Sequence, residues 1–124
     1  MNRSSYIPPE AQFSLDMAAS EARKAFGGVG IFLVGSCIEK PDYRDVDVRI
    51  MLRDEEFEAL FPVDEETMFR PRFQVMCLSM SAWFRHLTGL PVDFQFQKMS
   101  VANAKHKGKR VPIGRNVFIG DASE

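Results

Sequence analysis

Asp45 and Asp47 stand two positions apart in the run Asp45-Val46-Asp47-Val48-Arg49-Ile50-Met51-Leu52. Side chains alternate across a strand, so Asp45, Asp47 and Arg49 share one face and Val46, Val48, Ile50 and Leu52 the other. Carboxylates about 6 to 7 Å apart, twice the rise per residue, repel one another unless a cation lies between them. A divalent metal is the simplest reason for the pair. A third carboxylate, Asp93, lies in a second alternating run, Val92-Asp93-Phe94-Gln95-Phe96-Gln97, whose Val92, Phe94 and Phe96 should face inward. Upstream, Gly35-Ser36 follows the apolar stretch Ile31-Phe32-Leu33-Val34, and glycine lets a backbone approach a ligand closely. Phosphoryl and nucleotidyl transfer need charge neutralised on the phosphates and on the attacking and leaving oxygens, which carboxylate-held metal ions do.

These groups need elements to place them. Pro8-Pro9-Glu10 opens a helix, proline being tolerated in the first turn and acid suiting the dipole there. Phe13, Met17, Ala18, Ala22, Ala25 and Phe26 recur at helical spacing and predict one apolar stripe, closed by Gly27-Gly28. Ile31 to Val34 reads as a short strand buried on both faces, and Cys37 to Arg44 as a loop or short irregular helix. Val46 to Leu52 is the second strand. Asp54 is a candidate cap for a short helix to about Leu60, which Phe61-Pro62 stops. The acids from Asp54 to Glu66 read as a solvated face. The longest helix is expected over about Arg70 to Leu87, with Phe73, Met76, Met80, Trp83, Phe84 and Leu87 on one face and Gly89 and Pro91 beyond. Val92 to Gln97 is the third strand.

The 124 residues predict a single α/β domain over 1–124, a small mixed β-sheet backed by helices. Hydrophobic residues make up 45% and charged ones 27%, a composition that excludes a disordered chain. The formal net charge of −1 gives no global pull toward nucleic acid or membrane, so any such attraction must be local. A basic C-terminal tail from about 98 to 124 is the local exception. It carries Lys98, Lys105, His106, Lys107, Lys109, Arg110 and Arg115 and no acid between Asp93 and Asp121. Its glycines and Pro112 argue against a long helix, while Val111, Ile113, Val117, Phe118 and Ile119 suggest that it docks. The two cysteines, Cys37 and Cys77, lack zinc-ligand spacing and are expected to be reduced. No leader is recognisable and no apolar run approaches the roughly 18 to 20 residues of a membrane span, so a cytoplasmic protein is expected.

A glycine-serine turn after a buried strand, an Asp-x-Asp on the next strand, and one Asp on a later strand after a long helix resemble the nucleotidyltransferase superfamily that includes DNA polymerase beta, particularly its stand-alone minimal members. The matching positions are Gly35, Ser36, Asp45, Asp47 and Asp93, and the element order from Ile31 through Gln97 covers a little over half of the chain. The resemblance implies a nucleotidyltransferase-like fold with two Mg2+ ions on Asp45, Asp47 and Asp93, the last helping to activate the acceptor hydroxyl. It also implies a nucleoside triphosphate, ATP first, whose phosphates meet Gly35 and Ser36, with Lys98 a further candidate phosphate contact. A nucleoside monophosphate would pass to a hydroxyl on a protein, RNA or small-molecule acceptor, with loss of pyrophosphate. A partner protein or homo-oligomer would bring the acceptor, as minimal members often act beside a partner.

Two positions depart from the minimal pattern: Cys37 follows the turn where an arginine is frequent, and Arg44 stands where a serine often precedes the first aspartate. Arg49, on the acidic face, can pair with Asp47 and blunt metal binding. The alternative is therefore a catalytically inactive nucleotidyltransferase-like module that binds a protein or nucleic acid. Each feature also has a plain structural explanation. Acids on a strand keep an edge soluble, Gly35-Ser36 alone is a turn, Cys37 is a small spacer, Trp83 is core, and His86 suits a helix C-terminus.

Overall fold

The structure, a computed structural model, describes residues 5–105 and 108–114. Four strands form one mixed sheet: β1 (Gly30–Val34), β2 (Val46–Leu52), β3 (Val92–Lys98) and β4 (Val111–Pro112). Their spatial order is β3-β2-β1-β4, with β1 antiparallel to both β2 and β4, and β2 parallel to β3. Helices α1 (Pro9–Phe26), α2 (Asp54–Leu60), α3 (Pro71–Thr88) and α4 (Met99–Lys105) surround it. This is the small mixed α/β architecture expected from the strand and helix periodicities.

One sheet face is the core. Ile31, Leu33, Val46, Val48, Ile50, Leu52, Val92, Phe94 and Phe96 are all buried, and α1 and α3 pack side by side over them. Phenylalanines join the layers: Phe84 stacks on Phe94 at 5.3 Å between ring centroids, and Phe26 and Phe61 meet Phe96 edge-on, each at 5.0 Å. Such pairs add a directional preference to area burial. β1 departs from expectation, since Ile31 and Leu33 are buried while Gly30, Phe32 and Val34 are only half so. Its second face lies outside the helical layer.

The buried helical stripes also differ from those expected. In α1 the inner face is Leu15, Ala18, Ala19 and Ala22, whereas Phe13 and Met17 stay 65% and 45% exposed. Small alanines let α1 approach its neighbours closely, and the bulkier pair falls on the outer side. In α3 the innermost residues are Cys77, Ser81 and Phe84, with Phe73, Met76, Met80 and Trp83 half-buried and Leu87 exposed.

Two of the three innermost residues of α3, Cys77 and Ser81, are small, which brings the helix close to the free edge of β3. Ser81 accepts the Phe94 backbone N–H at 2.8 Å and donates to the Cys77 carbonyl at 2.9 Å. Arg85 Nε donates to the Val92 carbonyl at 2.9 Å. The Cys77 thiol is pushed up by burial and partly drawn back by the Phe96 backbone N–H. Four helical residues advance about 6 Å and two strand residues about 6.6 Å, so Cys77, Ser81 and Arg85 keep step with Phe96, Phe94 and Val92. An edge that would otherwise invite strand pairing is thereby covered.

Much of the basic tail is part of the fold. Helix α4, which no periodicity in the tail announces, sits beside β2 and β3, and β4 extends the sheet from β1. Arg110 joins the two, donating to Asn103 Oδ1 at 3.1 Å and the Ala102 carbonyl at 3.2 Å, beside the buried Met51. Ile113 is buried as its apolar character suggested, and the Gly114 N–H reaches Asp16 Oδ1 of α1 at 3.0 Å. His106, Lys107 and the stretch from Arg115 to Glu124, with Val117, Phe118 and Ile119, lie outside the described residues. Helix α2 begins at Asp54, yet its first turn is closed by Glu56, which accepts the Arg53 N–H at 2.9 Å; Asp54 Oδ1 instead accepts the Ser100 N–H of α4 at 3.1 Å.

Replacing Ser81 by Ala strands a buried N–H on Phe94, so Ser81→Ala should cost about 1–3 kcal/mol of folding free energy in urea unfolding. A loss below about 0.5 kcal/mol would mean that β3 does not depend on this bond.

Candidate functional site

Strand direction decides where the candidate residues meet. Because β1 and β2 are antiparallel, the end of β1 adjoins the beginning of β2, and Val34 lies opposite Asp47. Because β2 and β3 are parallel, their beginnings coincide, and Asp47 lies opposite Asp93. The Gly35-Ser36 turn, Asp47 and Asp93 therefore gather at one end of the sheet, with exposed Asp45 just ahead of β2. Asp47 and Asp93 lie on the face turned away from the hydrophobic core.

Gly35 opens a 3-10 turn, Gly35–Ile38, in which the Ser36 carbonyl accepts the N–H groups of Glu39 and Lys40 at 3.0 and 2.9 Å. Gly35 has φ +80°, and a Cβ on it would collide with Asp47 Oδ2. Glycine is required here twice, by backbone conformation and by space. The room it leaves is filled by the Asp47 carboxylate itself. Cys37 is fully buried beneath this contact. Burial pushes its thiol up, the Asp47 backbone N–H pulls it partly down, and the Asp47 charge pushes it up again. A thiol so placed is a spacer and not a nucleophile. Both cysteines are free, as expected.

Arg49 completes the arrangement. Its Nη1 donates to the Asp93 carbonyl at 2.7 Å and the Val48 carbonyl at 3.0 Å, while Nη2 lies 3.4 Å from Asp93 Oδ2 and 3.9 Å from Asp47 Oδ1. Its side chain is only 13% exposed, against 23% for Asp47 and 43% for Asp93. The expected pairing of Arg49 with Asp47 is thus the longer of two. Its stronger tie is to Asp93 on the adjacent strand, which only the β2–β3 register could reveal. Asp47 is held above the ordinary carboxylate range, chiefly by burial; Arg49 opposes that shift, and the Asp93 and Asp45 charges add to it.

Lys98 stands elsewhere. It ends β3 opposite Leu52, five strand positions beyond Asp93 and so roughly 17 Å away along the strand. There it is paired with Glu58 and lies over the Phe57 ring. Glu58 also receives Arg70 on both oxygens, at 2.7 and 2.9 Å, and its pKa is lowered to about 2, first by Arg70 and then by Lys98. A groove of about 360 Å³ adjoins this cluster, lined in part by Gln95, Gln97, Lys98 and Arg70. The structure brings Gly35, Ser36, Asp45, Asp47 and Asp93 together and leaves Lys98 apart.

Oxygen-only donors of this kind suit Mg2+, which is ordinarily bound by one or two carboxylates with phosphate oxygens and water. Among the described residues, no three Asp, Glu, His or Cys side chains stand close enough to enclose a metal ion by themselves. Among the described residues, no helix is long and apolar enough to cross a membrane. Comparison of the chain with protein-family models, curated proteins and solved structures gave no match.

The Asp47 shift has a sign that can be measured. Its folded pKa lies above the ordinary 3.8, so the unfolded chain releases this proton first as pH rises. Ionisation then works against folding from about pH 3.8 up to the folded pKa, and the penalty is constant above it. Asp47→Asn should therefore melt higher than the wild type at pH 7 without added metal, with the difference gone at pH 3. A lower melting temperature for the variant at pH 7 would show that the Asp47 charge is a net support of the fold.

Proposed function

We propose that this chain is a metal-dependent nucleotidyltransferase that moves a nucleoside monophosphate, AMP from ATP in the first instance, to a hydroxyl of a protein, RNA or small-molecule acceptor. The observation that carries this reading is the convergence of the Gly35-Ser36 turn with Asp47 and Asp93 at one end of the sheet. Residues 12 and 46 positions apart in the chain become neighbours there through strand order alone. The raised pKa of Asp47 supports it too, since a carboxylate perturbed by burial beside other charges is a mark of functional sites.

In this reading Asp45, Asp47 and Asp93 would hold Mg2+ together with phosphate oxygens, and the ion would supply charge neutralisation on the triphosphate and on the attacking and leaving oxygens. The N–H groups and hydroxyl at Gly35-Ser36 orient the β- and γ-phosphates. The acceptor oxygen forms a bond to the α-phosphorus as the bond from that phosphorus to the bridging oxygen of pyrophosphate breaks. Asp93, the more exposed of the opposed pair, draws the proton from the acceptor hydroxyl. The setting is cytoplasmic, where ATP is supplied, and a partner protein or a second copy of the chain delivers the acceptor.

A second reading rests on Arg49. A guanidinium already lies against the acids, as it would in a catalytically inactive module that binds a protein or nucleic acid. Calorimetry with ATP separates the two. The transferase reading expects binding that requires Mg2+ and weakens at least about tenfold in an Asp45→Ala, Asp47→Ala double variant, the scale of losing charge-assisted contacts. Absence of ATP binding with and without Mg2+ in the folded wild type contradicts the transferase reading and leaves the inactive module.

A further inference from the structure

We infer that Arg49 permanently occupies the place of one of the two divalent ions that the resemblance implies, so that the nucleotide-loaded site takes a single ion. This rests on the transferase reading and refines its metal content. An arginine that merely paired with the carboxylates would be free to leave when a metal arrived, because the metal would replace it as their counter-ion. Arg49 is tied down differently. Its Nη1 is spent on two backbone carbonyls, Asp93 at 2.7 Å and Val48 at 3.0 Å, which no movement of the acids would release. Only Nη2 addresses the carboxylates, at 3.4 Å from Asp93 and 3.9 Å from Asp47.

The surroundings reinforce this. The side chain is 13% exposed, and it stands on a strand paired on both sides, with Arg49 in register with Phe32 of β1 and Gln95 of β3. Swinging it out would remove a charge-assisted bond from the Asp93 carbonyl and expose a charge that now has partners. Guanidinium geometry suits such a fixed role, since its planar fork spends donors on several acceptors at once and stays charged at any working pH. Arg49 thus supplies fixed positive charge between Asp47 and Asp93, where a second ion would otherwise be needed.

Counting ions tests this without reference to activity. Mn2+ is titrated in the presence of a saturating ATP analogue with a methylene group between the α- and β-phosphorus atoms, and ions per protein-bound nucleotide are read by electron paramagnetic resonance after equilibrium dialysis. The expected count is one for the wild type, one for Arg49→Lys, which keeps a cation, and two for Arg49→Gln. Two ions in the wild type overturn the inference while leaving the transferase reading intact, and this count holds even if Arg49→Gln does not fold. A folded Arg49→Gln that still binds one ion also overturns it. Nucleotide bound with no ion in either protein overturns both the inference and the metal-dependent reading.

Discussion

The fit between α3 and the free edge of β3 is the constraint on which the rest of the structure depends. A helix face stepping in fours and a strand edge stepping in twos advance by nearly the same distance, which lets Ser81 and Arg85 serve successive backbone groups of Phe94 and Val92. This contact fixes β3 along its length and leaves its other edge to β2. The parallel pairing then sets Asp93 opposite Asp47. A slip of one residue would turn Phe94 and Phe96 out of the core and carry Asp93 to the core side of the sheet. The packing of Phe26, Phe61 and Phe84 on Phe94 and Phe96 and the placement of one carboxylate are therefore settled by the same register.

On the opposite face the sheet carries a different kind of order. The core side is stabilised by apolar burial, whereas the acidic end holds Asp47 against its charge preference, pressed to Gly35 and close to two other carboxylates. Arg49 offsets part of that cost from a position fixed by backbone carbonyls. A site that combines a strained charge, an obligatory glycine and a pinned guanidinium is a poor solution for stability alone, and such compromises gather where function is served. Glu58, Arg70 and Lys98 at the other end of β3 form a plainer surface cluster, in which opposite charges simply pair.

Local periodicity in the sequence was enough to find β2, β3 and the course of α1 and α3, because alternation and helical spacing record which side chains a single element buries. It could not show how elements meet. Phe13 and Met17 outrank alanine in hydrophobicity, yet α1 buries Leu15, Ala18, Ala19 and Ala22, since close helix packing favours small residues on the contact side. The pairing of Arg49 with Asp47, two positions along the strand, is present but is the longer one at 3.9 Å, and the stronger contact, 44 residues away on β3, lies beyond any local pattern. α4 and β4 have no sequence signal of their own, because they are only seven and two residues long and the lysines and glycine between them carry no periodicity. Their order comes from tertiary bonds such as those of Arg110, which no local pattern announces. Gly35 was legible as a turn, and its second task, making room for Asp47, emerged only from the packing.

The proposed nucleotide site is one end of this sheet, where β1 finishes and β2 and β3 begin. An amide-resolved NMR titration of the folded protein with ATP in the presence of Mg2+ tests it most directly. The largest shifts are expected on Gly35, Ser36, Asp45, Asp47 and Asp93, with Lys98 and its neighbours in α4 little changed. Shifts concentrated instead around Gln95, Gln97 and Lys98, or none anywhere at millimolar nucleotide, would contradict it.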